Sequence, residues 1–159
     1  MTIDHSQTSP TDIVDHVLSL SKTSNAMVIL DESYEAEVRF ANNTTTTNGQ
    51  RRDRHVTVIA FEERADGTAV GISSKSGVDG LEELVRAAER ECRESGIAED
   101  ASPLIAGSNN DDCVDDIATT DLSVLSNILD ALPDAFAQAI AEDEVLAGFA
   151  KHSVTTSFF

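Results

Sequence analysis

At 159 residues, the chain has length for one ordinary domain with a short appended unit. Its 29 acidic and 11 basic residues give a net charge of −18, so its surface repels polyanions and direct nucleic-acid binding is not expected. Apolar residues make up 40% but aromatics only 4%, with no Trp, so a core must be built from Val, Ile, Leu and Ala.

The N-terminal MTIDHSQTSP is polar and reads as a loose tail over residues 1–8; it holds no apolar signal-peptide region. Ser9-Pro10 then predicts a helix start, with Ser9 as cap, Pro10 in the first turn and Asp12 near the positive end of the dipole. Ile13, Val14, Val17 and Leu18 follow helical spacing, and Ser24-Asn25 is the expected stop. Residues 26–30 form a short apolar run. Tyr34, Ala36, Val38 and Phe40 alternate with Glu35, Glu37 and Arg39 in the period of a half-buried strand. The stretch from Asn42 to Thr47 favours extended backbone, and Asn48-Gly49 predicts a turn. Residues 55–63 are the clearest strand, and Asp66-Gly67 turns it into a second one over 68–74.

A second helix is expected from about Gly80, capped by Asp79. Leu81, Leu84, Val85, Ala88 and Cys92 form its apolar stripe, with Glu82, Glu83, Arg86, Glu89, Arg90 and Arg93 opposite. Cys92 reads as a core residue, and Gly96 is the expected stop. Residues 97–119 lack periodicity. A last helix starts near Thr120-Asp121, buries Leu122, Leu125, Ile128 and Leu129, and is kinked by Pro133. Residues 145–159 read as extended. The fold class is therefore α+β: a mostly antiparallel sheet of about four strands with helices on one face, then a linker, a kinked helix and a terminal strand. The domain expectation is an α+β domain over 1–96, an acidic linker over 97–119, and over 120–159 a helical segment with the first strand of a further region.

Chemistry-bearing motifs are scarce. His5, His16, His55 and His152 are scattered, with no HExxH or HExxxH pair to present two imidazoles to zinc. Asp111, Asp112, Asp115 and Asp116 lack the Gly and Glu that a calcium loop needs, and read as a solvated loop. Cys92 and Cys113 have no CxxC spacing and read as reduced thiols, which with the missing signal sequence points to the cytoplasm. No run approaches the ~20 apolar residues that span a bilayer. GxSxG, GxxxxGK[ST] and GxGxxG are absent. Two polar segments remain as candidate contacts for a peptide or partner. Arg39, Asn42, Asn43, Thr44 and Thr45 could pair with an extended peptide by edge addition. Arg51, Arg52 and Arg54, read as a hairpin tip, could dock a carboxylate.

Four segments carry a resemblance to a known family: IVDHVLSLSK, EAEVRFANNTTTTNGQRRDRHVTVIAF, GTAVGISSKSGVDGLEELVRAAERECRESGIAEDASPL and VLAGFAKHSVTTSFF. Together they resemble the N-terminal region of TldD/PmbA (TldE) proteins, also described as modulators of DNA gyrase. The resemblance implies a small N-terminal α+β domain followed, in a much longer chain, by a β-rich domain. In TldD-type subunits an HExxxH zinc motif lies mid-chain; PmbA/TldE-type subunits lack it, and the two form a peptide-cleaving heterodimer. No family metal ligand matches a residue of this sequence, so no catalytic or metal residue and no cofactor is assigned here; zinc would sit in a partner subunit or in a region outside this chain. The terminal strand reads as cut off from partners, as in an excised domain or an incomplete gene product. The expected role is a non-catalytic domain that shapes a substrate chamber and contacts a paralogous subunit, as heterodimer or homodimer, around a peptide substrate, with no membrane or direct nucleic-acid contact. The alternative is a free-standing acidic protein-binding regulator, for example of DNA gyrase.

Overall fold

The computed structural model describes residues 8–99 and 116–159. The expected tail, most of the expected linker, Cys113 and the acid run apart from Asp116 lie outside these residues. Helix α1 spans Pro10–Leu20, capped as its sequence predicts: Ser9 Oγ accepts from the Asp12 N–H at 3.2 Å. It ends earlier than expected, with Ser21 as its C-cap. Ile13, Val14 and Val17 are buried.

Strand β1 runs unbroken from Asn25 to Ala41, where the composition suggested two short runs. The inward positions Val28, Leu30, Glu32, Ala36 and Val38 are all buried, and only Tyr34, half-buried between Glu32 and Ala36, interrupts the alternation. Glu32, a carboxylate in a core position, is what disguised the continuity. Asn42 and Asn43 make the turn, with φ of 51° and 57°, the left-handed conformation that Asn tolerates best after Gly. Strand β2 then covers Thr44–Arg64, so Asn48-Gly49 lies inside a strand and not at a turn. Opposed residues in a sheet share a face. The two-residue turn sets Ala41 opposite Thr44, yet even-numbered residues of both strands are buried further along. One strand therefore carries an extra residue in between, a β-bulge, and Asn48-Gly49 falls in that interval.

Strand β3 (Gly67–Ser76) pairs antiparallel with β2, from Arg64↔Gly67 to His55↔Ser76, as the hairpin signal predicted. Helix α2 (Leu81–Glu94) buries the whole expected stripe, Cys92 included. Its N-cap is Gly80, at φ 65°, and not Asp79. The 3₁₀ turn Leu122–Leu125, capped by Asp121, leads into α3 (Ser126–Ala141). Pro133 lies inside α3, where it removes the bond to the Leu129 carbonyl and kinks the helix. Strand β4 (Gly148–Phe158) completes a sheet of order β3-β2-β1-β4.

The chain groups into two compact units. The first holds described residues 8–32, 54–99, 116 and 157–159. There α2 packs across β3, and α1 lies against α2. Arg64 donates to the carbonyls of Cys92, Arg93 and Ser95, satisfying the C-terminal end of α2. Burial pushes the Cys92 thiol above its ordinary pKa, and Cys92 Sγ contacts the Ala69 carbonyl at 3.3 Å: a core thiol. The second unit holds Ser33–Asp53 and Ile117–Thr156. Its core is Ala36, Val38, Leu125 and Leu132, with Phe40, Leu129 and Phe136 packed against them.

Glu89 departs from its expected place on the solvated face of α2, being 3% exposed. Its carboxylate accepts from the Lys22 backbone N–H and from Arg86, both at 2.7 Å, tying the exit of α1 to α2. Burial works against the charge, but these bonds outweigh it and hold the carboxyl below its ordinary pKa of 4.5. A depressed carboxylate contributes stability above its unfolded pKa and loses it as pH falls through the folded value. Glu89→Gln should cost about 1 kcal/mol at pH 7. The deficit should shrink as pH drops below about 4.5, as urea unfolding from pH 7 to pH 3 would register; a deficit that stays constant would refute the linkage.

Candidate peptide- or partner-binding site

All the candidate residues except Arg54 fall in the second unit. Strand β3 pairs only with the His55–Arg64 half of β2. Among the described residues, the Thr44–Arg51 half therefore has a neighbouring strand, β1, on one side only. Thr44, Thr45, Thr46, Thr47 and Asn48 are all exposed. Four consecutive Thr hold the backbone extended, while their hydroxyls keep this edge polar.

Even-numbered Ala36, Val38 and Phe40 of β1, and Ala150 of β4, pack under α3. Their odd-numbered neighbours take the other face. Lys151 meets Glu35 at 2.5 Å, Arg51 lies 3.9 Å from the same carboxylate, and Arg39 pairs with Glu37. The Lys151 hydrogen bond, opposed by partial burial and helped by the charges of Lys151, Arg51 and Arg39, holds the Glu35 carboxyl below its ordinary pKa. On the even-numbered side by the same alternation, the Arg52 guanidinium stacks 5.5 Å from the Tyr34 ring centroid. Ser33 and Thr155 share a hydrogen bond of 2.8 Å across β1 and β4. Two depressions mark this face. A polar one of about 230 Å³ lies among Ser33, Glu35, Arg51, Lys151 and Ser153. A wider one of about 680 Å³ runs past Glu37, Arg39, Thr46, Gly148 and Phe149.

The sequence candidates therefore separate. Thr44, Thr45, Arg51 and Arg52 lie on the β2 edge strand, exposed, while Arg39 sits on β1, an interior strand. Asn42 and Asn43 form the turn. The Asn43 side chain is fully engaged: Oδ1 accepts from Leu146 N–H at 2.6 Å and Nδ2 donates to the Glu144 carbonyl at 2.8 Å. Asn43→Ala should lower stability by about 2 kcal/mol, through two lost hydrogen bonds and a strained left-handed residue. Chemical denaturation would measure this, and Asn43→Gly should recover the conformational part. The three arginines read as a hairpin tip stand instead along the middle of β2, because the turn falls at Asn42-Asn43. Arg54 belongs to the other unit; it is buried and paired with Glu32. Glu35, Lys151 and Phe149 were missed. The strand period of GFAKHSVTTSF places Phe149 and Lys151 on one face, but nothing local says that β4 pairs with β1.

Among the described residues, the site offers a strand edge with no neighbouring strand, together with paired charges and hydroxyls. It suits main-chain recognition of extended peptide. Among the described residues, no group of three or more His, Cys, Asp or Glu side chains could hold a metal ion.

Comparison with known proteins gives this architecture a setting. Residues 26–92, the stretch from β1 into α2, match the sequence family described as PmbA/TldA metallopeptidase domain 1. No curated protein sequence matches the chain. Among solved structures, TldE from Thermococcus kodakarensis is similar, with TM-score 0.55 and 11% identity over 92% of this chain and 34% of that one. A protein from Thermotoga maritima MSB8, titled a proposed modulator of a DNA gyrase, gives TM-score 0.45 and 13% identity over 92% of this chain and 35% of that one. This chain spans about a third of the length of these structures. The likeness is one of fold: a family-level resemblance to TldD/PmbA/TldE proteins at low identity.

Proposed function

We propose that this chain is a non-catalytic N-terminal domain of a TldD/PmbA-type peptidase subunit, lining a substrate chamber and contacting a paralogous subunit. The observation behind this reading is the fold likeness across nearly the whole chain, together with the domain match at residues 26–92. Within it, the Thr44–Arg51 edge receives an extended strand of substrate or partner, and Arg51 and Arg52 steer carboxylates toward it. The zinc and the bond-breaking step belong elsewhere in the assembly.

The test is to mix the purified chain with a TldD-type subunit bearing the HExxxH motif and to follow size and mass by chromatography with light scattering. A defined complex is expected, and Arg51→Glu with Arg52→Glu should weaken it about tenfold. Separate elution of the two proteins would remove the subunit-contact reading. Zinc-dependent peptide turnover by the chain alone would remove the non-catalytic one.

A further inference from the structure

Among the described residues, the first unit has a second sheet face that no helix covers. Gly71 lies against α2, close to Cys92 and Ala88 backbone atoms, and Ala69, Val58, Ala60, Val28 and Leu30 are buried on that side. By strand alternation Met27, Ile29, Ile59, Phe61, Val70 and Ile72 take the other side. Ile59 stands directly opposite Ile72, and Phe61 opposite Val70, so the patch is contiguous across β2 and β3. Met27 is 44% exposed and Ile72 52%; the other four are half-buried. Six large apolar side chains on three adjacent strands are not scattered surface residues.

Within the first unit, the charges on this outward face have one sign. Asp31 and Glu63 stand on the same face, and no Lys or Arg occupies an outward position of residues 25–31, 55–63 or 68–76. A second copy would bring the same acidic rim against itself, in a chain of net charge −18. A twisted sheet buries an apolar face best against a helix with a stripe at i, i+3 and i+4. We infer that this face docks an amphipathic helix of a partner protein, with an apolar stripe flanked by Lys or Arg. The inference does not depend on the proposed peptidase role, because the edge invoked there lies in the other unit.

The probe is a dye-labelled helical peptide of about 18 residues with Leu on one face and Lys on its flanks. Its control is a scrambled peptide of identical composition that has no apolar face. Anisotropy titration in about 0.15 M salt keeps bulk charge attraction modest. The amphipathic peptide should bind at least about tenfold more tightly than the scramble. Met27→Glu with Ile72→Glu changes two exposed side chains, so the fold should survive, which circular dichroism checks. That variant should erase the difference between the peptides while leaving the scramble bound at least as well. Equal binding of the two peptides, no binding of either, or a difference that persists in the variant would overturn the inference. So would sedimentation showing a wild-type dimer that the variant converts to monomer, since the face would then belong to a second copy.

Discussion

Glu32→Ala should lower the unfolding free energy by about 4 kcal/mol, the largest loss expected from a side-chain truncation in this protein. Glu32 is fully buried and Arg54 only 8% exposed. Arg54 Nε donates to Glu32 Oε2 at 2.7 Å, and its Nη2 donates to the Thr8 carbonyl at 3.1 Å, beside the start of α1. Taking two charges out of water costs several kcal/mol each, which their attraction roughly offsets. Removing one partner keeps the other's desolvation cost and forfeits the attraction. Arg54→Met should therefore be damaging too, leaving a carboxylate in an apolar layer with Val28, Leu30 and Val56. The informative variant is the double one. Glu32→Leu with Arg54→Met should lie within about 1 kcal/mol of wild type, because neither charge is then stranded. Denaturant unfolding at pH 7 closes the cycle. If the single losses simply add in the double variant, the pair carries no coupling and this account of it is wrong.

Gly71→Val should cost about 3 kcal/mol or more, by prying α2 off the sheet. An added Cβ would lie 2.1 Å from the Cys92 nitrogen, 2.3 Å from the Ala88 oxygen and 2.7 Å from Cys92 Cα. These are helix backbone atoms, so no rotamer change relieves the clash; the helix must move as a body. That motion would also pull Cys92 from Ala69 and loosen the Arg64 bonds to the end of α2. Even Gly71→Ala should be strongly destabilising. The control is Gly49→Ala, where a Cβ meets nothing within 4 Å. It should shift stability by no more than about 0.5 kcal/mol. Thermal unfolding of the three proteins decides: similar melting points for Gly71→Ala and Gly49→Ala would mean that α2 does not rest on Gly71.

These two sites also show where local sequence stops being informative. Gly71 lies in the run GTAVGISSKS, where a glycine mid-strand signals only a bulge or a close approach. That the approaching element is α2 follows from packing. Glu32 looked like the polar gap between two strands, because isolated carboxylates are almost never buried. Its partner lies 22 residues away, across a turn whose position was itself misplaced. Both Asn42-Asn43 and Asn48-Gly49 satisfy a two-residue turn. The choice went to the dipeptide whose second Asn bonds Leu146 and Glu144, about a hundred residues further on.

The sequence alone determined what depends on neighbours a few residues apart. The cap at Ser9, the buried stripe from Leu81 to Cys92, the hairpin from 55 to 74 and the terminal strand are set by backbone periodicity and turn chemistry. So is the α+β class, and with it the family-level resemblance. Only the tertiary structure decided which strand pairs with which: that β4 lies beside β1, that β3 covers half of β2, and that Thr44–Arg51 is consequently an edge. Pairing partners are chosen by long-range burial and hydrogen bonding that no window of sequence contains. Glu89 makes the same point on a helix. Its spacing assigns it to solvent, and only the Lys22 N–H and the Arg86 guanidinium, brought together by packing, make its burial favourable.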